Sequence, residues 1–290
     1  MTLLDFVNFH LAPGLVLGSI YALGAIGITL VFGVMRFAHL AHGDLATFGA
    51  FLALAVVWAT GLDPWIGLPF AMLGAAGVAI LNDRLFYAHL RRRPLIITVI
   101  ASLGVALMLR SVVQVAFGVD SESYARGLVR PDEYFGVRLR DRELATLAVT
   151  AGLVIALNLF LSRTRWGKAM RAMSDNPDLA RLSGVDTRVV TALTWGIVGA
   201  LAAAAGFFLG LNTELRSMMG WQMLLPMFAA AILGGVGRVE GALLGGLIVG
   251  VVEESSVLFL PPQYKSAMAF AILLLMLFVR PTGLLRGKVL

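Results

Sequence analysis

Long apolar runs separated by short polar stretches dominate the sequence. A helix needs about 20 apolar residues to cross the hydrocarbon core of a bilayer, and most of these runs approach that length. The seventh is too short to span comfortably, which predicts a half-helix or a broken helix whose irregular backbone is buried in protein or lines a cavity. The nine runs lie near residues 11–33, 43–60, 65–82, 95–117, 144–161, 189–211, 223–236, 241–259 and 266–280.

Composition places these runs in lipid rather than in the core of a water-soluble protein. The chain has 290 residues, of which 59% are hydrophobic and 14% charged, and its mean hydropathy is +0.88. A soluble domain carries about 25% charged residues. The sequence therefore predicts one all-α, polytopic membrane domain over residues 1–290, with about eight or nine transmembrane or re-entrant helices. It has no cysteine, which excludes disulfides and thiolate chemistry.

Basic residues are concentrated in three connecting segments. They are the loop after the third run, with Arg84, Arg91, Arg92 and Arg93, the segment at about 163–187, and the C-terminal tail. By the positive-inside rule these three segments face the cytoplasm, which places the N-terminus outside and the C-terminus inside.

The loop at about 118–143 then lies outside. It has five arginines and six carboxylates and so no basic excess. The net charge of +6 thus indicates membrane topology rather than nucleic-acid binding. The first residues lack the basic region that opens a signal peptide, so we expect no cleaved leader.

Pairs of glycines four residues apart recur in the apolar runs. Lipid tails are as apolar as leucine, so membrane helices associate by close packing, which small residues permit. We expect this role for Gly14, Gly18, Gly206, Gly210, Gly241, Gly245, Gly246 and Gly250.

The motifs of common enzymes are missing from the sequence. It contains no G-x-x-x-x-G-K-[ST], no H-E-x-x-H and no G-x-S-x-G. His39 and His42 are three residues apart, but two ligands without a third make a poor zinc site. We therefore predict no catalytic residues, no metal site and no cofactor bound by this chain.

Three ionisable residues fall within or near apolar runs. Charged groups are costly in lipid, which makes Arg110, Glu253 and Glu254 functional candidates. Alternatively, Arg110 snorkels or pairs with a carboxylate, and the glutamates reach the outer interface. A proton-coupled transporter usually buries several such groups in mid-span, and this sequence does not clearly do so.

The stretch "VMRFAHLAHGDL" follows the first run and holds four polar side chains. Arg36 fits the cytoplasmic end of the first helix. Gly43 then lets the chain turn, and Asp44, or alternatively His42, caps the next helix. The candidates for a pathway or gate are Ser19, Tyr21, His39, His42 and Asp44, although Ser19 and Tyr21 could equally bond neighbouring helices.

The segment "RTRWGKAMRAMSDNPDLARLSGVD" has the pattern of two short helices outside the membrane. Asp175 or Asn176 caps a helix that starts at Pro177 and ends at Gly184. We interpret the segment as a docking site for another chain, the alternative being a basic anchor with incidental helicity. Its candidate docking residues, including small ones that permit close approach, are Gly167, Lys168, Arg171, Ala172, Asp175, Asn176, Pro177, Ala180 and Gly184.

Four stretches together resemble the inner-membrane permease subunits of branched-chain amino-acid ABC transporters, the H-type subunits of the Liv system. They are "GLVLGSIYALGAIGITLVFGVMR" with "LAHGDLATFGAF", "RRRPLIITVIASLG", "GKAMRAMSDNPDLARLSGVD" with "AAAAGFFLG", and "ILGGVGRVEGALLGGLIVGVVEE" with "VRPTGLLRGK". The match extends over nearly the whole chain in the same order.

The resemblance implies a bacterial inner-membrane importer assembled from several chains. The partners it implies are a second, similar permease, two cytoplasmic ATPase subunits that carry ATP and Mg²⁺, and a periplasmic binding protein. It also implies that residues 167–184 touch the ATPase and that "AHGD" forms a bend between two helices.

Some residues depart from the family pattern. His39 stands where the family commonly has asparagine, and Arg238 and Glu240 stand where small residues or proline are usual. The substrate therefore stays open between hydrophobic amino acids and urea, short amides or another small organic solute. A secondary transporter or channel is the alternative from a different class.

Overall fold

The computed structural model describes residues 2–91, 93–124, 131–134, 136–285 and 287, and it is helical almost throughout. Arg92, Arg286 and Lys288, which contribute to the predicted basic segments, lie outside the described residues, as do residues 125–130 and 135 of the predicted outer loop. The helices are α1 (Leu3–Met35), α2 (His42–Thr60), α3 (Pro64–Leu90), α4 (Leu95–Phe117), α5 (Asp141–Arg163), α6 (Arg165–Asp175), α7 (Pro177–Leu182), α8 (Thr187–Asn212), α9 (Met219–Gly234), α10 (Val239–Leu258) and α11 (Pro262–Val279).

Eight of the described helices are long and apolar enough to cross a membrane: α1 to α5, α8, α10 and α11. Helix α9 has 16 residues, a length of about 24 Å at 1.5 Å per residue, which is shorter than the hydrocarbon core. Two antiparallel strands, β1 (Asp132–Tyr134) and β2 (Val137–Leu139), lie between α4 and α5. The all-α, multi-pass membrane architecture predicted from the sequence is confirmed.

Local sequence signals fix several helix ends. The Asp63 carboxylate accepts the backbone N–H of Trp65 at 2.9 Å, and Pro64 occupies the first position of α3, where its missing N–H costs nothing. Gly61 ends α2 in the left-handed conformation at φ +68°. Asp186 caps α8 by accepting the backbone N–H groups of Arg188 and Val189.

The connecting segments gather at two ends of the bundle. At one end, the last turns of α1 and α9 meet Ser174, Gly237 and the tail, whose Leu284 N–H donates to the Leu233 carbonyl. We call this the basic end. At the other, Asn8 donates to the Gly136 carbonyl; we call this the loop end. The described arginines and lysines of the connections at the basic end, with those of α6 and α7, are Arg36, Arg84, Arg91, Arg93, Arg163, Arg165, Lys168, Arg171, Arg181, Arg188, Arg238 and Arg280.

The described chain passes nine times between these ends, starting at the loop end and finishing at the basic end. Helix α9, with the connection that leads into it, contributes the seventh pass: Leu215 in that connection pairs with Glu122 at the loop end, and the last residue of α9 packs against Gly241 beside the tail. The seventh run is therefore a short helix that continues the alternation, not a hairpin that returns to the same end.

Glycines let the inner helices approach closely. Gly14 and Gly18 of α1 face Gly250 and Gly246 of α10. Gly241 and Gly245 face the backbone of α9, and Gly206 faces the backbone of Ala46 on α2. Gly210 differs from the packing expected of it, because it lies in the last turn of α8 and is covered by Leu215 and Tyr124 of connecting segments rather than by a helix.

Candidate functional site

The stretch between α1 and α2 folds back into the bundle. Helix α1 ends at Met35 and is followed by Arg36, whose backbone is left-handed at φ +62°; the Leu40 N–H then donates to Ser102 Oγ of α4 at 3.1 Å. Helix α2 begins at His42, whose ring lies against Gly27, eight residues before the end of α1. Since eight residues rise about 12 Å, α2 begins inside the bundle rather than at its surface.

Two details predicted for this bend are wrong. The residue before α2 is Ala41, and no side chain caps the helix, so neither Asp44 nor His42 is its cap. Gly43 lies within the first turn of α2, and the left-handed turn is made by Arg36. The absence of a side chain at Gly43 serves close packing instead, because its Cα faces the backbone of Gly220.

Asp44 forms a buried ion pair with Arg110 of α4. Arg110 donates from Nε to Oδ1 and from an Nη to Oδ2, both at 2.9 Å, and the Asp44 side chain has no exposed surface. The guanidinium also lies 5.2 Å from the centre of the Trp221 ring. This two-point geometry suits an arginine held away from water, and it ties α2 and α4 together beside the start of α9.

His39 belongs to an aromatic cluster. Its Nε2 lies 3.0 Å from the hydroxyl of Tyr87, and its ring centre lies 4.9 Å from that of Trp195. The ring of His42 is 6.1 Å from that of His39. Both histidines are buried, and neither lines the two cavities described below. Within the described ranges, no group of three metal-binding side chains was found.

Helices α2 and α9 meet through their first turns. The Gly220 N–H donates to Thr47 Oγ1 at 2.9 Å, and the Gly220 and Gly43 backbones are in direct contact. Both helices therefore begin within the protein interior. Helices interrupted in this way line binding sites in transporters, because irregular backbone at membrane depth is tolerated where protein or a cavity surrounds it.

A cavity of about 580 Å³ opens at the loop end. Tyr21 and Glu253 lie on its inner wall, and the Tyr21 hydroxyl lies beside the Glu253 carboxylate and interacts with it. Ser19, the other polar residue predicted on this helix, is buried and donates to its own helix, to the Val16 carbonyl at 2.7 Å. Tyr21 and Ser19 are thus placed differently: one lines a cavity and the other does not.

A second cavity, of about 430 Å³, opens at the basic end. Thr29 and Gly33 of α1 form one wall, and Arg171 of α6, Arg238 and Glu240 contribute charged groups. The two cavities thus reach the same helix from opposite ends. Tyr21 and Thr29 are eight residues apart, so about 12 Å of helix separates the cavities.

The segment predicted as a helix pair has that structure. Asn176 Oδ1 accepts the N–H groups of Asp178 and Leu179, Pro177 opens α7, and Gly184 follows its end at φ +82°. The sequence therefore predicted the break and both ends of α7. The cap of α6, Thr164, was not predicted; its hydroxyl accepts the Gly167 N–H at 2.9 Å.

The two helices divide the candidate docking residues into an inner and an outer face. Gly167 and Ala180 are buried, and Gly167 contacts the backbone of Phe160 and Leu161 in its own chain, so the interpretation that these two let a partner approach is wrong. The outer face combines apolar and charged groups. Its exposed members are Arg165, Trp166, Lys168, Arg171, Ala172, Asp175, Asn176, Asp178, Leu179, Arg181, Leu182, Ser183 and Gly184.

Several contacts of the site were not found by sequence reasoning. Arg110 and Glu253 stand out in the sequence as charges in apolar runs, but Asp44 and Tyr21 as their partners do not, since each lies on a distant helix. Thr47 and Trp195 carry no signal beyond ordinary helix composition.

Multiple helical passes, two helices that begin inside the bundle, and cavities entering from both ends define a membrane permease. The sequence agrees with this class: residues 11–277 match the family model of the branched-chain amino acid transport system permease component. The chain belongs to this family.

Two relatives match along nearly their full length. The chain is 33% identical over 286 residues to the high-affinity branched-chain amino acid transport system permease protein LivH of Salmonella typhimurium, covering 94% of this chain and 93% of LivH. It is 34% identical over 295 residues to BraD of Pseudomonas aeruginosa, which is named as a permease protein of the same kind of system, covering 95% and 94%. Among solved structures, PsaBC from Streptococcus pneumoniae in complex with Fab is similar in fold, with a TM-score of 0.50, 16% identity and coverage of 96% and 95%.

Proposed function

We propose that this chain is the transmembrane subunit of an ATP-driven importer of branched-chain and other hydrophobic amino acids. The observation that carries the proposal is the family match over residues 11–277, together with relatives whose names specify branched-chain amino acid transport. The cavities that approach α1 from opposite ends support a pathway with alternating access, in which ligand and ATPase state shift an equilibrium between two conformations. A second, homologous permease subunit completes the pathway.

The outer face of α6 and α7 is proposed to dock an ATPase subunit. Leu179 and Leu182 are exposed there, on the same helix pair as exposed arginines, a lysine and aspartates. Apolar groups ringed by charges are typical of a surface that a partner covers. Arg171 lies on this helix pair and also lines the cavity at the basic end, so movement of the docked segment would reach the pathway directly. Two ATPase subunits bind and hydrolyse ATP with Mg²⁺, and this chain binds no cofactor.

The basic end is proposed to face the cytoplasm of a bacterial inner membrane. The concentration of arginines at that end supports this orientation by the positive-inside rule. The N-terminus then lies outside and the C-terminus inside. The loop end faces the periplasm, where a substrate-binding protein delivers the amino acid.

Reconstitution in liposomes tests the proposal. The chain is purified with its second permease, ATPase subunits and binding protein, and uptake of labelled leucine is followed with and without ATP. We expect uptake only with ATP and the binding protein, and competition by isoleucine and valine but not by urea or acetamide. Competition by urea or acetamide alone would identify a different substrate. Uptake by the isolated chain without ATP would mean a secondary transporter or channel.

A further inference from the structure

The cavity at the loop end contains a buried carboxylate that shares its nearby cation with a second carboxylate. Glu253 is 4% exposed, and its Oε2 has no hydrogen-bond partner among the described residues. The neutral Tyr21 hydroxyl lies beside this carboxylate, and the charge of Lys265 also acts on it, although Lys265 donates its hydrogen bond to Glu254. A buried, ionised carboxylate without a counter-charge of its own is costly, so this position favours the binding of a cation from outside the protein.

The other charged groups of this cavity already have partners. Lys265 Nζ donates to Glu254 Oε2 at 2.7 Å, and an Arg216 Nη donates to Glu214 Oε2 at 2.9 Å. Arg216 is thus paired with Glu214, whereas Lys265 serves two carboxylates and gives its hydrogen bond to Glu254, so one of the two negative charges beside Lys265 is left without a cation of its own. Glu253 remains as the group on the wall that can attract a positive charge from outside the protein.

The remaining wall combines polar residues with three apolar, adaptable side chains. Leu209, Met219 and Met223 line the cavity, and Gln222 is exposed on it. Methionine side chains are flexible and polarizable, so they pack against aliphatic groups of different shape. A carboxylate next to such a surface suits a ligand that has an ammonium group close to a branched aliphatic chain.

We propose that Glu253, supported by the Tyr21 hydroxyl, binds the ammonium group of the amino acid when it enters the cavity at the loop end. The inference rests on the proposed function, because it takes the transported solute to be an amino acid. It assigns the selection of a primary amine to one side chain of this subunit, separately from the selection made by a binding protein.

The absence of cysteine makes this site directly measurable. Gln222→Cys places a single thiol in the chain on the cavity wall, and its reaction with a maleimide is followed on this chain in the complete reconstituted transporter. The probes are leucine, isoamylamine, which keeps the amine, and isocaproate, which lacks it. We expect leucine and isoamylamine to slow the reaction and isocaproate to leave it unchanged.

Glu253→Gln removes the charge at nearly constant volume. In the Gln222→Cys background it should raise the concentration of isoamylamine that gives half-protection about tenfold or more, the effect of losing one charge-assisted hydrogen bond. Tyr21→Phe should raise this half-protection concentration by a smaller factor. Glu214→Gln makes the same charge change at an exposed carboxylate of the same cavity, paired with Arg216, and should change this concentration by less than about twofold.

Equal protection by isocaproate and isoamylamine, protection by neither, or protection that survives Glu253→Gln would overturn the inference. If Glu253→Gln prevents assembly, the contrast between the probes in the Gln222→Cys chain still decides it. ATP-driven leucine uptake by the unmodified chain is measured in parallel. Loss of amine-selective protection with normal uptake refutes this site alone, whereas amine-selective protection without uptake refutes the proposed function.

Discussion

Asp44 and Arg110 place an ion pair in the interior of an apolar bundle. Both oxygens of the carboxylate are engaged by the guanidinium, and the Trp221 ring lies beside it. Replacing a whole buried pair by apolar groups is often tolerated, but removing one partner leaves an uncompensated charge. The arrangement therefore makes α2 and α4 depend on each other.

Asp44→Asn is expected to destabilise the protein by about 3–5 kcal/mol, because it leaves Arg110 without its counter-charge in a site that excludes water. The measurement is thermal unfolding of the detergent-purified protein. Glu214→Gln is the control, since the Glu214–Arg216 pair is exposed on both sides and should contribute less than about 1 kcal/mol. Equal melting temperatures for the two variants would contradict the structural role of the buried pair.

The sequence alone indicates one member of this pair, Arg110, but not that Asp44 is its partner. Arg110 is conspicuous because it is a charge in an apolar run, and pairing with a carboxylate was one of its two predicted alternatives. Asp44 was assigned to a helix cap, because a local reading favours local partners for an aspartate near a helix start. The real partner lies 66 residues away, a distance that only the packing of α2 against α4 determines.

At the scale of elements, α2 and α9 depend on two glycines. The Gly43 and Gly220 backbones touch, so a methyl group on either would overlap the other helix. Helices packed this closely gain dispersion contacts along their length and hold their first turns at a fixed depth. The contact sets the position from which both interrupted helices start.

Gly220→Ala is expected to lower stability by about 1–3 kcal/mol, the usual cost of overpacking. Gly77→Ala is the matched control: Gly77 also lies inside a helix, but nothing surrounds the position of its missing methyl group within 4 Å. That change should leave the melting temperature the same or raise it slightly, since alanine favours the helix. An equal effect of both substitutions would mean that the backbone contact is not tight.

The α6–α7 pair gives a prediction about assembly. Leu182→Asp should lower co-purification of the ATPase subunits about tenfold, because a charge replaces an exposed apolar side chain on the proposed interface. Phe259→Asp is the control, since Phe259 is equally exposed, at 85%, but lies at the loop end. Both variants should insert into the membrane. Normal co-purification of Leu182→Asp would argue against docking on this surface.

The boundaries of these elements were predictable where their causes are local. Asn176, Pro177 and Gly184 act on their immediate neighbours, and the sequence placed α7 correctly from them. Gly167 and Ala180 were interpreted as outward-facing because spacing alone does not tell which face of a short helix packs on the bundle. The contact of Gly167 with α5 determines that face.

At the scale of the whole molecule, the nine passes of the described chain place its first and last described residues at opposite ends. The apolar runs predicted these passes well: the fourth, at 95–117, coincides with Leu95–Phe117. The first helix begins earlier than predicted, at Leu3, because Asp5 and His10 lie near the loop end, where polar side chains reach partners such as Thr2 and the Glu254 carbonyl. The interior start of α2 was not predicted, since hydropathy does not measure depth.

The proposed orientation is tested by single cysteines in this cysteine-free chain. Ser121→Cys, exposed at the loop end, should react with a membrane-impermeant maleimide in cells whose outer membrane is permeable and inner membrane intact. Ser183→Cys, exposed at the basic end, should react only after the inner membrane is opened. The reverse labelling pattern would mean that the topology is inverted. Labelling of both cysteines in cells with an intact inner membrane would mean that the two positions, and by the same count the two termini, lie on the same side.

The thin separation between the two cavities also has an electrical consequence. In the proposed orientation, water filling both cavities would carry the potentials of the two bulk phases inward, and the membrane voltage would then fall mainly across the two turns of α1 between Tyr21 and Thr29. The voltage would then fall over about 12 Å instead of a hydrocarbon thickness of about 30 Å, so the local field would be roughly 2.5 times steeper. An ion crossing this short section would traverse most of the transmembrane voltage, whereas a zwitterion, with no net charge, would do almost no electrical work.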